Sequence, residues 1–140
     1  MRMDKSFEVE RDRDHSVEVV GREETLVALF PEARAEIVER KGDRVTARIH
    51  YNALGRQGVA TFHFDYLMDG SVRFEKVCDG NVWKQLCGEL SFDDAGDGCC
   101  VTIEMEGHTK GLVPEFTIRG PMREQLEQMA EALQRKIEEG

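Results

Sequence analysis

Residues 122–140 read MREQLEQMAEALQRKIEEG and carry the strongest structural signal in the chain. Its apolar residues recur at steps of four, three, four and four: Met122, Leu126, Met129, Leu133 and Ile137. These steps place five side chains on one face of an α-helix. The polar residues that cover the outer face are Glu124, Glu127, Gln128, Glu131 and Lys136. The stretch therefore predicts a long amphipathic helix that needs a large apolar partner.

Two prolines mark the beginning of this helix. Pro114 suits the first turn of a helix, so the helix is expected to begin near residue 113. Gly120-Pro121 then predicts that the helix is kinked or split.

The residues before the helix alternate apolar and polar side chains with the period of two that is typical of strands buried on one face. A turn or loop separates each pair of strands, the longest over residues 52–57 and the most polar over the cluster 93–98 (DDAGDG). The expected strands span residues 6–12, 33–40, 43–51, 58–66, 71–78, 82–92 and 101–106.

Residues 14–31 break this alternation and favour two short helices, at about 16–20 and 22–30. Asp14 or Ser16 can cap the first helix, Gly21 separates the two, and Pro31 ends the second.

The order of elements predicts an α+β fold. A seven-stranded antiparallel sheet, long enough to curl, must cover its apolar face, and the C-terminal helix is the element large enough to do so. A curved sheet around one helix leaves a gap in which a small molecule can bind. We expect one domain over residues 1–140.

Strands 43–51 and 58–66 are expected to pair so that opposite residue numbers sum to 109. An odd sum keeps both sets of apolar side chains on the inner face. Arg44 then lies opposite Asp65 on the outer face, as an exposed ion pair that contributes little.

Composition limits the function. The 140 residues are 40% hydrophobic and 34% charged, as in a globular domain. The 19 basic and 28 acidic residues give a net charge of −9, which opposes phosphate binding, so no nucleic-acid partner is expected. Without a signal peptide or a long apolar run, we expect a cytoplasmic location and no transmembrane segment. The oligomeric state stays open.

The motifs of metal and cofactor sites are missing from the sequence. The four cysteines form no C-x-x-C pair, so zinc is not expected. The cluster 93–97 lacks the glutamate of a calcium loop and is interpreted as a solvated turn. No nucleophile, nucleotide or metalloprotease motif occurs either, so we predict no metal and no cofactor.

The residues expected to line the gap are mainly aromatic or adaptable apolar side chains, although plain core packing gives the same pattern in sequence. They are Phe62, Phe64, Tyr66, Phe74, Trp83, Leu86, Ile103, Met105, Phe116, Met122, Leu126 and Met129.

Few polar residues are candidates for this gap. Lys76 and Lys84 have the strand parity of inward residues, although a bulge would reverse it, and Asn52 lies in the neighbouring loop. His50 and His63 are expected on the outer face, and His108 near the mouth of the gap.

Several segments together resemble a known family. They are residues 7–9 (FEV) leading into 14–20 (DHSVEVV), 29–32 (LFPE), 80–83 (GNVW) with 98–101 (GCCV), and 113–116 (VPEF) before the long helix. With the order of elements, they make the chain resemble the SRPBCC, or START-like, superfamily, and more closely its polyketide cyclase/dehydrase and coenzyme Q-binding branch. Residues 14–20 depart from the family pattern, because the usual alanine-proline pair before the first short helix is missing.

The resemblance implies a helix-grip fold with a cavity, and it leaves the activity open. The leading hypothesis is a protein that binds a hydrophobic small molecule, such as a lipid, a quinone or a polyketide. The alternative is a polyketide cyclase or aromatase, which needs an acid or base in the cavity. A protein-interaction domain of the ribosome-association toxin type is the third hypothesis.

Overall fold

The computed structural model describes residues 1–53 and 56–140. Over these residues the chain forms one antiparallel sheet of seven strands, in the order β1-β7-β6-β5-β4-β3-β2. The elements are β1 (Arg2–Val9), α1 (Arg13–Val20), α2 (Glu23–Ala28), β2 (Arg34–Lys41), β3 (Arg44–Ala53), β4 (Arg56–Tyr66), β5 (Val72–Lys76), β6 (Trp83–Ala95), β7 (Gly98–Thr109) and α3 (Phe116–Glu139). The predicted α+β architecture, with a sheet, a long C-terminal helix and two short helices after the first strand, is confirmed.

The β3–β4 pairing has the predicted register. Val45 lies opposite Phe64, and Arg44 lies opposite Asp65. On the outer face, the Arg44 guanidinium donates to the Asp65 carboxylate at 2.8 Å, which holds the pKa of that carboxyl below its usual range. The predicted loop 52–57 is shorter than expected, because β3 continues to Ala53 and β4 starts at Arg56; Leu54 and Gly55 lie outside the described residues.

The N-terminal boundaries differ from the prediction. β1 lies four residues earlier than expected, because Met3 continues the apolar pattern and pairs with Met105 of β7. Asp12, predicted to end this strand, instead caps α1, where its carboxylate accepts from the His15 backbone N–H at 2.8 Å. Ser16, predicted as a cap, is fully buried in the second turn and donates to the Asp12 carbonyl at 2.9 Å.

The β6–β7 hairpin is longer than predicted, and β5 is shorter. The polar cluster 93–98 was expected to be all turn, but Ala95 pairs with Gly98, so only Gly96 and Asp97 remain between the strands. Gly96 has a φ of 63°, which allows so tight a turn. Pairing across this hairpin thus outweighs the turn propensity of the aspartates.

The C-terminal helix is one continuous element of 24 residues that begins at Phe116, not near residue 113, and it is not split at Pro121. Pro121 lies in its second turn, so it removes only the hydrogen bond to the Thr117 carbonyl. Among the described residues, no helix combines the length and apolar character needed to cross a bilayer.

Candidate functional site: a cavity between the sheet and α3

A cavity of about 540 Å³ separates the first half of α3 from the inner face of the sheet. Its walls are formed by β3 to β7, the corner after α2, the turn before β6, and α3. Seven of the twelve predicted residues line it: Phe62, Phe74, Trp83, Leu86, Met105, Met122 and Met129.

The cavity exists because α3 does not lie over the middle of the sheet. The helix packs mainly on β1 and β7 and on the two short helices. Leu26 of α2 and Leu29 just after it are fully buried in the core, and the next residue, Phe30, lines the cavity. The space between the first half of α3 and the central strands therefore stays unfilled and forms the cavity.

A β-bulge turns Trp83 into the cavity. Trp83 lies opposite Thr109 and Gln85 opposite His108, so Lys84 is an extra residue in β6. The bulge lets Trp83 and Leu86, three residues apart, line the same cavity. It also leaves Lys84 exposed, which contradicts the expectation from strand parity.

Two glycines on the inner face make room for aromatic rings. A Cβ at Gly107 would lie 2.5 Å from the Trp83 ring and 3.3 Å from Leu86 Cδ1. A Cβ at Gly88 would lie 2.2 Å from the ring of Phe74, its cross-strand partner. Both rings thus lie over positions without side chains. The sequence analysis does not identify these two glycines, because a single glycine within a strand does not show which side chain lies over it.

The aromatic wall continues into the core. The Phe62 ring centroid lies 6.4 Å from that of Phe64, which lies 6.1 Å from that of Phe74. Phe30, just before Pro31, adds a ring 5.4 Å from Phe62 and also lines the cavity. Phe30 belongs to the LFPE segment, which could have identified it.

Five predicted residues lie elsewhere. Phe64, Ile103 and Leu126 are fully buried in the core, because other side chains cover them. Phe116, in the first turn of α3, is 75% exposed and does not reach the cavity.

Tyr66 is the fifth predicted residue that lies outside the cavity, and it connects β4 to the short helices. Its hydroxyl donates to the Val20 carbonyl at the end of α1, at 3.1 Å. Burial raises the pKa of this hydroxyl to about 12, so it stays protonated at neutral pH. Its inward direction agrees with the strand parity, but α1 occupies the space that a ligand would need.

The polar lining comes from both walls. Lys76 and Asn52, predicted as candidates, line the cavity from the sheet side. Gln125 and Gln128 line it from α3, both half-buried. The sequence pattern predicts Gln128 on the outer face of the helix. In the structure Gln128 is half-buried and lies at the edge of the cavity, because the face of α3 that borders the cavity is wider than the apolar residues alone indicate.

None of the four histidines lines the cavity. His63 Nδ1 lies 2.8 Å from the Thr46 hydroxyl and His50 Nε2 lies 3.1 Å from Glu36, both on the outer face. His108, expected near the mouth, is exposed and lies 3.6 Å from Glu106.

The cysteines and acidic residues offer no reactive centre in the described part of the chain. Burial raises the pKa of the Cys87 and Cys99 thiols, so neither is an activated thiolate. Within residues 1–53 and 56–140, no three His, Cys, Asp or Glu side chains lie together in a way that could hold a metal ion.

Comparison with known proteins supports the fold. A START superfamily protein from Mycobacterium smegmatis superposes with a TM-score of 0.77 at 20% identity, covering 99% of this chain and 97% of that one. An aromatase/cyclase from Streptomyces sp. R1128 gives 0.76 at 14% identity, covering 98% and 90%. A STAR-related lipid transfer protein from Xanthomonas axonopodis gives 0.69 at 15% identity, covering 97% and 85%.

No protein-family model and no curated protein matches the sequence. Identities of 20% or less show a shared fold and do not assign an activity. The order of strands, the two short helices and the long helix across the inner face agree with these structures over nearly the whole chain. The chain therefore has the helix-grip fold of the START-like superfamily.

Proposed function

We propose that the protein binds a hydrophobic small molecule in the cavity between the sheet and α3. The observation that carries this proposal is the cavity itself: its volume of about 540 Å³ is within the range of small-molecule sites. Its walls are mostly aromatic and apolar, with a few polar groups, as is typical of such sites.

The methionines of the wall favour an extended or variable ligand. Met105 lies on β7, and Met122 and Met129 lie two turns apart on α3. Thioether side chains have three flexible torsions and adapt to irregular shapes. Two structures with the same fold come from proteins described as a STAR-related lipid transfer protein and an aromatase/cyclase, and the first of these descriptions fits an apolar ligand.

Binding is favoured over catalysis because the titratable groups of the lining do not converge. These groups are Glu32, Tyr51 and Lys76 in the described part of the chain. Glu32 and Tyr51 are exposed, and only Lys76 is half-buried. General acid–base chemistry needs such groups positioned against each other or against the reacting atoms.

The location in the cytoplasm stays a prediction.

The experiment uses two neighbouring residues of β4. Ala60 is buried and lines the cavity, whereas Val59 is 53% exposed. Ala60→Phe places a ring in the cavity, and Val59→Phe is the matched control. Trp83, the single tryptophan, lines the cavity and reports binding by its fluorescence.

We expect apolar probes such as dodecan-1-ol to change Trp83 fluorescence in the parent protein and in Val59→Phe. Ala60→Phe should weaken binding at least tenfold while circular dichroism shows an intact fold. Native mass spectrometry of the purified protein then identifies any ligand that is retained. Equal binding by both variants, or no binding by the parent protein, contradicts the proposal.

A further inference from the structure

Lys76 is the one positively charged residue among those described as lining the cavity. It is the last residue of β5, opposite Phe62 on β4, and has the same strand parity as Phe74. The residue is half-buried, as expected for a lysine whose apolar stem lies along the cavity wall and whose ammonium group reaches water. A cation in this position affects which ligands the cavity accepts.

This cation has no counter-ion among the described residues. The closest polar contact of Lys76 Nζ is the carbonyl of the next residue, Val77, at 3.4 Å. On the outer face of the sheet, two arginines do have carboxylate partners: Arg44 lies 2.8 Å from Asp65 and Arg73 lies 3.2 Å from Glu89. An ammonium group without a carboxylate partner, on a residue that lines an otherwise mostly apolar cavity, is available to bind an anionic group of a ligand.

The opposite wall supplies neutral donors. Gln125 and Gln128 are separated by one helical turn on α3, and both line the cavity. Over residues 1–53 and 56–140, neither amide makes a side-chain hydrogen bond within the protein, whereas the Gln134 amide donates to the Glu8 carbonyl. A glutamine amide can donate a hydrogen bond to a carboxylate oxygen without adding a charge to the site.

We propose that the ligand is an amphipathic carboxylate, whose head group binds Lys76 and whose tail lies against the aromatic and methionine side chains. This assignment rests on the proposed function of the cavity. One ammonium group and two neutral amides match a single negative charge. A phosphate monoester carries a second charge, and the described lining residues include no further cation to balance it.

The test compares two probes with equal chains, dodecanoate below its micelle concentration and dodecan-1-ol below its solubility limit. Trp83 fluorescence and calorimetry measure both affinities in the parent protein, in Lys76→Met and in Lys84→Met. Methionine keeps the length of the lysine stem and removes its charge. Lys84 is the matched control, because it lies at the same end of the sheet but is exposed.

We expect Lys76→Met to weaken dodecanoate binding about tenfold, the lower end for hydrogen bonds to a charged group because Lys76 is half-exposed. Dodecan-1-ol binding should change less than twofold, and Lys84→Met should leave both affinities unchanged. Shortening dodecanoate by one CH₂ should cost about fourfold if the tail is buried.

The outcomes separate the two proposals. If both probes bind and Lys76→Met weakens both equally or neither, the carboxylate assignment is wrong, while the hydrophobic site stands. If dodecyl phosphate binds more tightly than dodecanoate and depends on Lys76, the site prefers a dianion and the carboxylate assignment is also overturned. If neither chain binds the parent protein, the proposed function itself fails.

Discussion

The two halves of α3, residues 116–129 along the cavity and residues 130–139 beyond it, follow one apolar period but serve different purposes. In the second half, Leu133 and Ile137 are fully buried against the sheet and the short helices. In the first half, Met122 and Met129 are also shielded from solvent, yet they face a cavity. Helical periodicity shows which side chains face inward, and it does not show whether anything packs against them.

The residue types of the two halves also differ, and this difference fits their roles as a cavity wall and a packed core. Methionine and glutamine supply four of the six cavity-lining residues of the first half, with Ile118 and Pro121, and the buried residues of the packed half are leucine, isoleucine and alanine. Branched side chains with few rotamers fill a core well, whereas methionine adapts to a ligand. The composition of an inward face is therefore a better guide to a cavity than its spacing.

The largest expected effect comes from removing both halves. Deleting residues 122–140 takes away five inward side chains, which contribute roughly 8–15 kcal/mol of gross burial. Since domains are stable by only about 5–15 kcal/mol, the fragment 1–121 should not fold and should associate through its bared sheet. Circular dichroism and thermal unfolding measure this, and a soluble fragment with cooperative unfolding would contradict the role of α3.

Single truncations sharpen the comparison between the halves. Leu133→Ala should lower the free energy of unfolding by about 2–5 kcal/mol, toward the upper end, because it opens a hole in a packed region. Met129→Ala should cost less, because part of its surroundings is already empty. Leu126→Ala should resemble Leu133→Ala, since Leu126 is fully buried outside the cavity. Urea denaturation of the three variants tests this order, which a larger loss at Met129 would reverse.

A glycine substitution tests the cavity wall opposite the helix. In Gly107→Ala the new Cβ would lie 2.5 Å from the Trp83 ring, so the ring must move. We expect a shift of Trp83 fluorescence, weaker ligand binding and a stability loss of about 1–3 kcal/mol. Gly111→Ala is the control, because a Cβ there meets no atom within 4 Å. An unchanged emission spectrum in Gly107→Ala would show that the ring does not lie over Gly107.

The smallest expected effect concerns Tyr66, at the packed end. Tyr66→Phe removes the hydrogen bond to the Val20 carbonyl and should cost about 0.5–1.5 kcal/mol, without changing ligand affinity. Because the folded pKa is about 12 and the unfolded pKa about 10, the contribution of the hydroxyl is complete below pH 10 and is lost as the pH rises toward 12. The difference between the parent protein and Tyr66→Phe should therefore shrink over that range. Denaturation from pH 8 to 11.5 measures this stability difference. Weaker ligand binding by Tyr66→Phe would show that Tyr66 contributes to the ligand site.

The order of elements, the inward residues of the strands outside the β6 bulge and the β3–β4 register could be predicted from the sequence, because they follow from local periodicity and from keeping apolar side chains on one face. The tertiary structure decided where the interior is filled and where it is empty. Phe62 and Phe64 have the same parity, but only Phe62 lines the cavity. The position of α3 over β1 and β7, the bulge at Lys84 and the space above Gly107 all depend on contacts between residues far apart in the chain. Such contacts leave no mark in the period of any single segment. The strand pattern therefore places Lys84 inward, whereas the bulge leaves Lys84 exposed and lets the predicted cavity residue Trp83 line the same cavity as Leu86.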